Sequence, residues 1–317
     1  MPLDKSSLHL VDPELRSVLE FFTGFDVSGD TLAMLRNIPV SPARETPSFE
    51  DVFVKRDSSE GDLRLLIIKP KIDRPAQGLP ALLYMHGGGF IFGSPETILP
   101  TVQRFAEDVD CIIVLPAYRL APEFPFPAAL DDNYLALKWM HEQAAELGID
   151  SSRIAIGGDS AGGGHAAVLN LTVRDRGEFS PIFQFLIYPM LDDRTGSTRP
   201  PSDNTGEFSW TAENNVFGWS SYLGSPAGSQ SVPDGAVPAR QEDLSGLPPT
   251  LIATGSLDLF VQENIQYEKR LAEQGVSVEI KVYEGAYHGF NVMLPDAAIS
   301  KEFYASCVNG LKTAFKT

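Results

Sequence analysis

Two glycine clusters, one serine and one loop histidine carry the chemistry this chain can do. The first cluster is IAIGGDSAGGGHAAV, residues 154–168, an apolar run that leads into a helical pattern. A glycine inside a helix costs roughly 1 kcal/mol relative to alanine, so a glycine-rich helix start needs a reason. Gly158-Asp159-Ser160-Ala161-Gly162 fits G-x-S-x-G, the pattern of a serine held on a sharp strand-to-helix turn. A Cβ at position 158 or 162 would crowd that turn, and Gly163 and Gly164 let the new helix approach the neighbouring strand. The turn exposes one hydroxyl at the carboxyl edge of a sheet, with the positive end of a helix dipole behind it. Ser160 is therefore the candidate nucleophile. A Gly-rich strand–helix turn can instead bind phosphate. The Lys-Ser/Thr ending of a P-loop and the G-x-G-x-x-G spacing of a dinucleotide site are both missing.

The second cluster, LLYMHGGGFIFG, places His86-Gly87-Gly88-Gly89 directly after an apolar run. Acyl transfer needs backbone N–H groups aimed at the oxyanion of a tetrahedral intermediate. A loop free of side chains can bring successive N–H groups to one point. Gly88 and Gly89 are the expected donors, joined by the N–H of Ala161, the residue after the nucleophile. His86 precedes these glycines and is expected to brace the loop by hydrogen bonding.

A serine nucleophile requires a base, and the base requires an orienting carboxylate. Of the five histidines, His9 and His141 are expected to be solvated. His165 lies more than one turn into the helix opened by Ser160 and should point away from it. His288, in YEGAYHGFNV, follows a predicted strand, with Gly289 giving room to turn; it is the expected base. The carboxylate should fall between serine and histidine in chain order. Asp258 stands just past the predicted strand TLIATGS and fits that place. Asp192, after FLIYPML, is the nearest rival and is expected to tie down the start of a lid.

These residues need a sheet to hold them. FEDVFVK and LRLLIIKP lie close together, as an antiparallel pair would. ALLYMHG, CIIVLPAY, RIAIGG, FQFLIYP, TLIATGS and VEIKVYEG follow as short apolar runs, the mark of strands covered on both faces. Helical patterns over 97–108, 128–147, 161–175, 262–274 and 295–315 separate them. The alternation predicts an α/β fold with an eight-stranded, mostly parallel sheet flanked by crossover helices. Residues 49–191 and 247–317 form that predicted catalytic domain. Residues 1–48, with an amphipathic helix at DPELRSVLEFF and a short one near TLAMLR, are expected to form the N-terminal part of a cap. Residues 192–246 are the expected cap insertion. Its Phe208, Trp210, Phe217, Trp219 and Tyr222 need something to bury against.

Composition narrows the partners. The chain has 317 residues, 43% of them hydrophobic, enough for a sizeable core. A net charge of −17 disfavours nucleic acid and anionic membrane surfaces. Two cysteines, Cys111 and Cys307, make neither a disulfide framework nor a metal site. MPLDKSSLHLVDPEL lacks the apolar stretch of a secretory leader, and no run of eighteen apolar residues occurs. A cytoplasmic location without stable membrane association is expected.

HGGGF, YRLAPEFPFPAAL, GDSAGG, the aspartate of GSLDLF and YHGF occur in this order along the chain. Together they resemble the hormone-sensitive-lipase-like branch of the α/β-hydrolases, the bacterial family IV carboxylesterases. The resemblance implies a triad of Ser160, Asp258 and His288, an oxyanion hole of Gly88, Gly89 and Ala161, and a helical cap. It implies a small-molecule ester as substrate and no metal or organic cofactor. A homodimer enters only as a family-typical state. Ala117, Leu259-Phe260 and His165 depart from the family's common residues, and none is expected to touch the chemistry. The expected activity is hydrolysis of short- to medium-chain carboxylic esters through an acyl-enzyme. An amidase, lactonase or peptidase on the same scaffold shares this tetrahedral chemistry. A non-enzymatic small-molecule receptor, as the plant gibberellin receptors resemble, is the third reading.

Overall fold

Runs of leucine and β-branched residues build one sheet. In the computed structural model, which describes residues 6–22, 26–57, 60–72 and 78–316, its strands are β1 (Phe49–Val54), β2 (Leu63–Ile68), β3 (Leu79–Met85), β4 (Ile112–Pro116), β5 (Ile149–Asp159), β6 (Phe183–Ile187), β7 (Thr250–Gly255) and β8 (Val278–Tyr283). They lie in the order β1-β2-β4-β3-β5-β6-β7-β8. β2 pairs antiparallel with β1 and β4, and every later pairing is parallel. The antiparallel start and parallel remainder match the expected fold class.

Successive side chains of a strand point to opposite faces, and both faces here are covered. Leu66, Leu82, Tyr84 and Ile113 meet Phe105 and Phe303 on one side. Leu65, Leu83, Val114 and Ile156 meet Leu137, Leu169 and Leu271 on the other. Each such side chain taken fully out of water contributes about 1.5–3 kcal/mol. The helices follow in chain order: α1 (Leu32–Leu35), α2 (Pro95–Val109), α3 (Ala128–Glu142), α4 (Ala144–Leu147), α5 (Ala161–Arg176), α6 (Ala212–Leu223), α7 (Val261–Glu273), α8 (Phe290–Met293) and α9 (Ala298–Ala314), with α1 and α6 in a separate cluster away from the strands. The pattern over 128–147 is two helices rather than one, divided at Gln143, whose φ and ψ are −100° and 10°. None of the helices among the described residues is long and apolar enough to cross a membrane.

The N-terminal segment buries its apolar stripe, Val11, Leu15 and Leu19, as its amphipathic pattern requires. It does so as a 3-10 helix, Pro13–Phe22, rather than an α-helix. The Tyr287 hydroxyl donates to Leu15 O within it (3.0 Å), and the Arg16 guanidinium reaches back to Val11 O (2.7 Å) just before it. The segment is stitched to residues 192–246. Ser6 and Ser7 hydroxyls donate to Glu207 (both 2.6 Å), and Val27 N–H donates to Asn214 Oδ1 (3.1 Å). Asp192 is buried and accepts from Arg194 Nε (2.7 Å) and Arg199 (2.8 Å) at the start of residues 192–246. Residues 1–5 of the N-terminal segment lie outside the described residues.

Candidate active site

Ser160 is the single residue between β5 and α5, and its backbone is strained. Its φ of 55° lies in the left-handed region that a non-glycine residue rarely adopts. The turn is held by Ser160 N–H donating to Ile187 O (2.9 Å) and by Gly164 and Met190 N–H donating to Ser160 O (both 3.0 Å). The flanking glycines leave no alternative. A Cβ on Gly162 would sit 2.1 Å from Met85 O, and one on Gly158 would sit 2.4 Å from Gly162 O.

Two later loops reach this hydroxyl. Asp258 follows β7 and His288 follows β8, so both arrive at the carboxyl edge where Ser160 stands. His288 Nδ1–H donates to Asp258 Oδ2 (2.8 Å), which leaves Nε2 as acceptor for the Ser160 hydroxyl at 2.9 Å. The second carboxylate oxygen, Asp258 Oδ1, accepts from Phe260 N–H (2.9 Å). Ser160, Asp258 and His288 are all buried. The imidazole is clamped edge-on between Tyr188 (ring centroids 4.7 Å apart) and Phe260 (5.1 Å). Phe260 therefore does touch the site, contrary to the expectation that Leu259-Phe260 stays clear of it. No local pattern marks Tyr188 as a site residue, because the side-by-side order of β6, β7 and β8 is what brings it to His288. Its hydroxyl donates to Asn291 Oδ1 (3.0 Å), in α8 just after His288.

The HGGG loop leaves β3 and crosses beside Ser160. Gly88 and Gly89 have φ of 127° and 57°, which favour glycine. A Cβ on Gly88 would lie 2.0 Å from Phe92 O, and one on Gly89 would lie 2.2 Å from Trp210 Cη2. Among the described residues, the N–H groups of Gly88, Gly89 and Ala161 donate to no backbone carbonyl. Gly88 and Gly89 line the same cavity as Ser160, and Ala161 opens α5 directly behind it. His86 braces the loop as expected: its Nδ1–H donates to Gly87 O (2.7 Å), and its carbonyl accepts from the Tyr118 hydroxyl (2.6 Å). Burial holds its pKa down at about 4, so the ring stays neutral.

The other histidines divide. His9 is exposed. His141, expected to be solvated, is half-buried because Phe179 from the end of α5's loop stacks on it, with ring centroids 4.4 Å apart. His165 points away from Ser160 into a cage of Phe90, Tyr118 and Tyr222. Burial there lowers its pKa to about 3. Asp159, beside the serine, is also buried, and desolvation raises its pKa to about 6. A cavity of about 420 Å³ opens over Ser160 and His288, walled by Ile38, Phe92, Trp210, Val292 and Met293.

Set against known proteins, residues 82–292 match the family described as alpha/beta hydrolase fold. The chain belongs to that family, in the hormone-sensitive-lipase-like branch its motifs resemble. Esterase LipI of Mycobacterium tuberculosis is 33% identical over 285 residues, covering 88% of this chain and 88% of the relative. The ethyl acetate hydrolase of Pseudomonas putida is 33% identical over 231 residues, covering 72% and 71%. The solved structure of a bacterial heroin esterase is 34% identical with a TM-score of 0.83, covering 98% of this chain and 100% of that one.

Proposed function

We propose that the chain hydrolyses short- to medium-chain carboxylic esters through an acyl-enzyme on Ser160. The reading rests on one contact above all, the 2.9 Å between Ser160 Oγ and His288 Nε2. Relatives named as esterases, one of them an ethyl acetate hydrolase, support the ester class. Ser160 Oγ attacks the ester carbonyl carbon while its proton passes to His288 Nε2. Asp258 fixes the tautomer and stabilises the imidazolium. Charge gathering on the carbonyl oxygen is met by the N–H groups of Gly88, Gly89 and Ala161 and by the positive end of α5. His288 then gives its proton to the departing alcohol. A water attacks the acyl-enzyme with His288 again as base, and the acid leaves.

Residues 1–48 and 192–246 act as the cap in this reading, and 49–191 with 247–317 as the catalytic domain. The bonds from Ser6, Ser7 and Val27 to the insertion support that division. A cavity of about 420 Å³ suits a small ester, within the usual range of small-molecule sites. A cytoplasmic location is supported by two buried, unbridged cysteines. A homodimer rests on the family resemblance alone. The test is hydrolysis of p-nitrophenyl acetate and butyrate by the wild type and Ser160→Ala. The variant should lose on the order of 10³-fold or more in kcat; equal rates reject the mechanism.

A further inference from the structure

Trp210 stands apart from the other aromatics of the insertion. Phe208, Trp219 and Tyr222 pack into protein, whereas the Trp210 indole also walls the cavity over Ser160. Its six-membered ring lies directly on Gly89: a Cβ there would meet Cη2 at 2.2 Å and Cζ2 at 2.7 Å. Gly89 is thus glycine for two reasons, its φ of 57° and the ring that covers it. On its other side, a Cβ at Gly218 of α6 would meet Gly89 O at 2.6 Å. The insertion grips this loop residue from two directions.

The indole cannot swing aside easily. Ser209, just before it, has φ of 63°, a strained value for serine, and Trp210 N–H donates to Phe208 O (2.8 Å). Such strain persists only where surrounding packing enforces it. The indole Nε1–H donates to Asn215 Oδ1 (3.3 Å), and Asn215 Nδ2 donates to Thr195 O (2.7 Å), back at the start of the insertion. The ring is therefore fixed at both its polar end and its backbone.

We propose that Trp210 is the specificity-determining residue of the cavity, its fixed indole beside Gly89 limiting the length of acyl chain that Ser160 can accept. This rests on the esterase reading above. An acyl group whose carbonyl oxygen sits at the Gly88 and Gly89 N–H groups starts out beside that ring. A short chain fits beside the indole; a longer one runs into it and into the Phe92 side chain that lines the same cavity (centroids 6.3 Å apart).

The test compares kcat/KM for p-nitrophenyl butyrate and decanoate in the wild type, Trp210→Ala, Trp210→Leu and Trp210→Phe. Trp210→Ala should raise the decanoate-to-butyrate ratio about tenfold or more, the scale at which apolar pockets separate neighbouring chain lengths. Trp210→Leu should raise it by less, and Trp210→Phe least. Should the alanine variant fail to fold, the leucine and phenylalanine variants carry the same ordering. A support role for the loop alone would lower both rates equally; an unchanged ratio in folded variants of an active wild type overturns the proposal. A wild type inactive on every ester of the series overturns the esterase reading and the proposal with it.

Discussion

The Ser160 hydroxyl lies 2.9 Å from His288 Nε2 across 128 positions of chain. Only the sheet order brings them together, since β5, β6, β7 and β8 stand side by side and deliver their following loops to one edge. Asp258 completes the line from the loop between.

Asp258→Asn should separate orientation from attack. The amide can donate to Nδ1, which then stops donating and leaves Nε2 protonated, the wrong tautomer for accepting the Ser160 proton. A fall of about 10⁴-fold in kcat is expected, the scale of such a change in other triads, with KM little altered. Steady-state kinetics with p-nitrophenyl butyrate check it. Activity within tenfold of the wild type would remove Asp258 from the mechanism.

Gly88→Ala tests the loop. Its Cβ would stand 2.0 Å from the backbone oxygen of Phe92, at a φ of 127°, so the loop must shift. Loss of one aligned oxyanion donor costs about 3 kcal/mol, near a hundredfold in kcat. The fall should appear in kcat more than in KM, because the donors act on charge that develops in the transition state.

Acid should weaken the fold through His165. Its folded-state pKa of about 3 lies below the ordinary 6.5, so the fold favours the neutral ring. Phe90, Tyr118 and Tyr222 pack around it and offer no negative charge; His86, whose charged form would repel it, is the neighbouring titratable group. The stability from its neutral state is complete above about pH 6.5 and is lost as pH falls toward 3. His86 acts in the same direction, down to about pH 4. Asp159, with its pKa raised to about 6, works oppositely below that pH. Urea midpoints for the wild type and His165→Asn between pH 7 and 4.5 isolate the His165 share. The variant should lose less stability over that range, by up to about 1.4 kcal/mol per pH unit. Parallel curves would contradict this.

Much of the architecture was legible in the chain. The close antiparallel pair and the six later runs became the eight strands, and β3, β4, β6 and β7 are buried along their whole length, because parallel strands covered on both faces must be continuously apolar. Ser160, the HGGG loop and the strand-end residues Asp258 and His288 were legible because glycine spacing and strand ends mark them locally. Tyr188, Phe260 and Trp210 were not legible in their roles. Their contacts with His288 and Gly89 cross strands or cross from the insertion to the loop, and no local pattern encodes such a meeting. The half-burial of His141 has a similar cause: its cover, Phe179, comes from outside α3.

The most direct measurement is peptide mapping by mass spectrometry after treatment with a fluorophosphonate, which phosphonylates a serine only when its hydroxyl is activated. The label should fall on Ser160 in the wild type and slow by orders of magnitude in His288→Ala. A folded wild type left unlabelled at Ser160, or labelled there just as fast without the imidazole, would contradict an activated nucleophile at the end of β5.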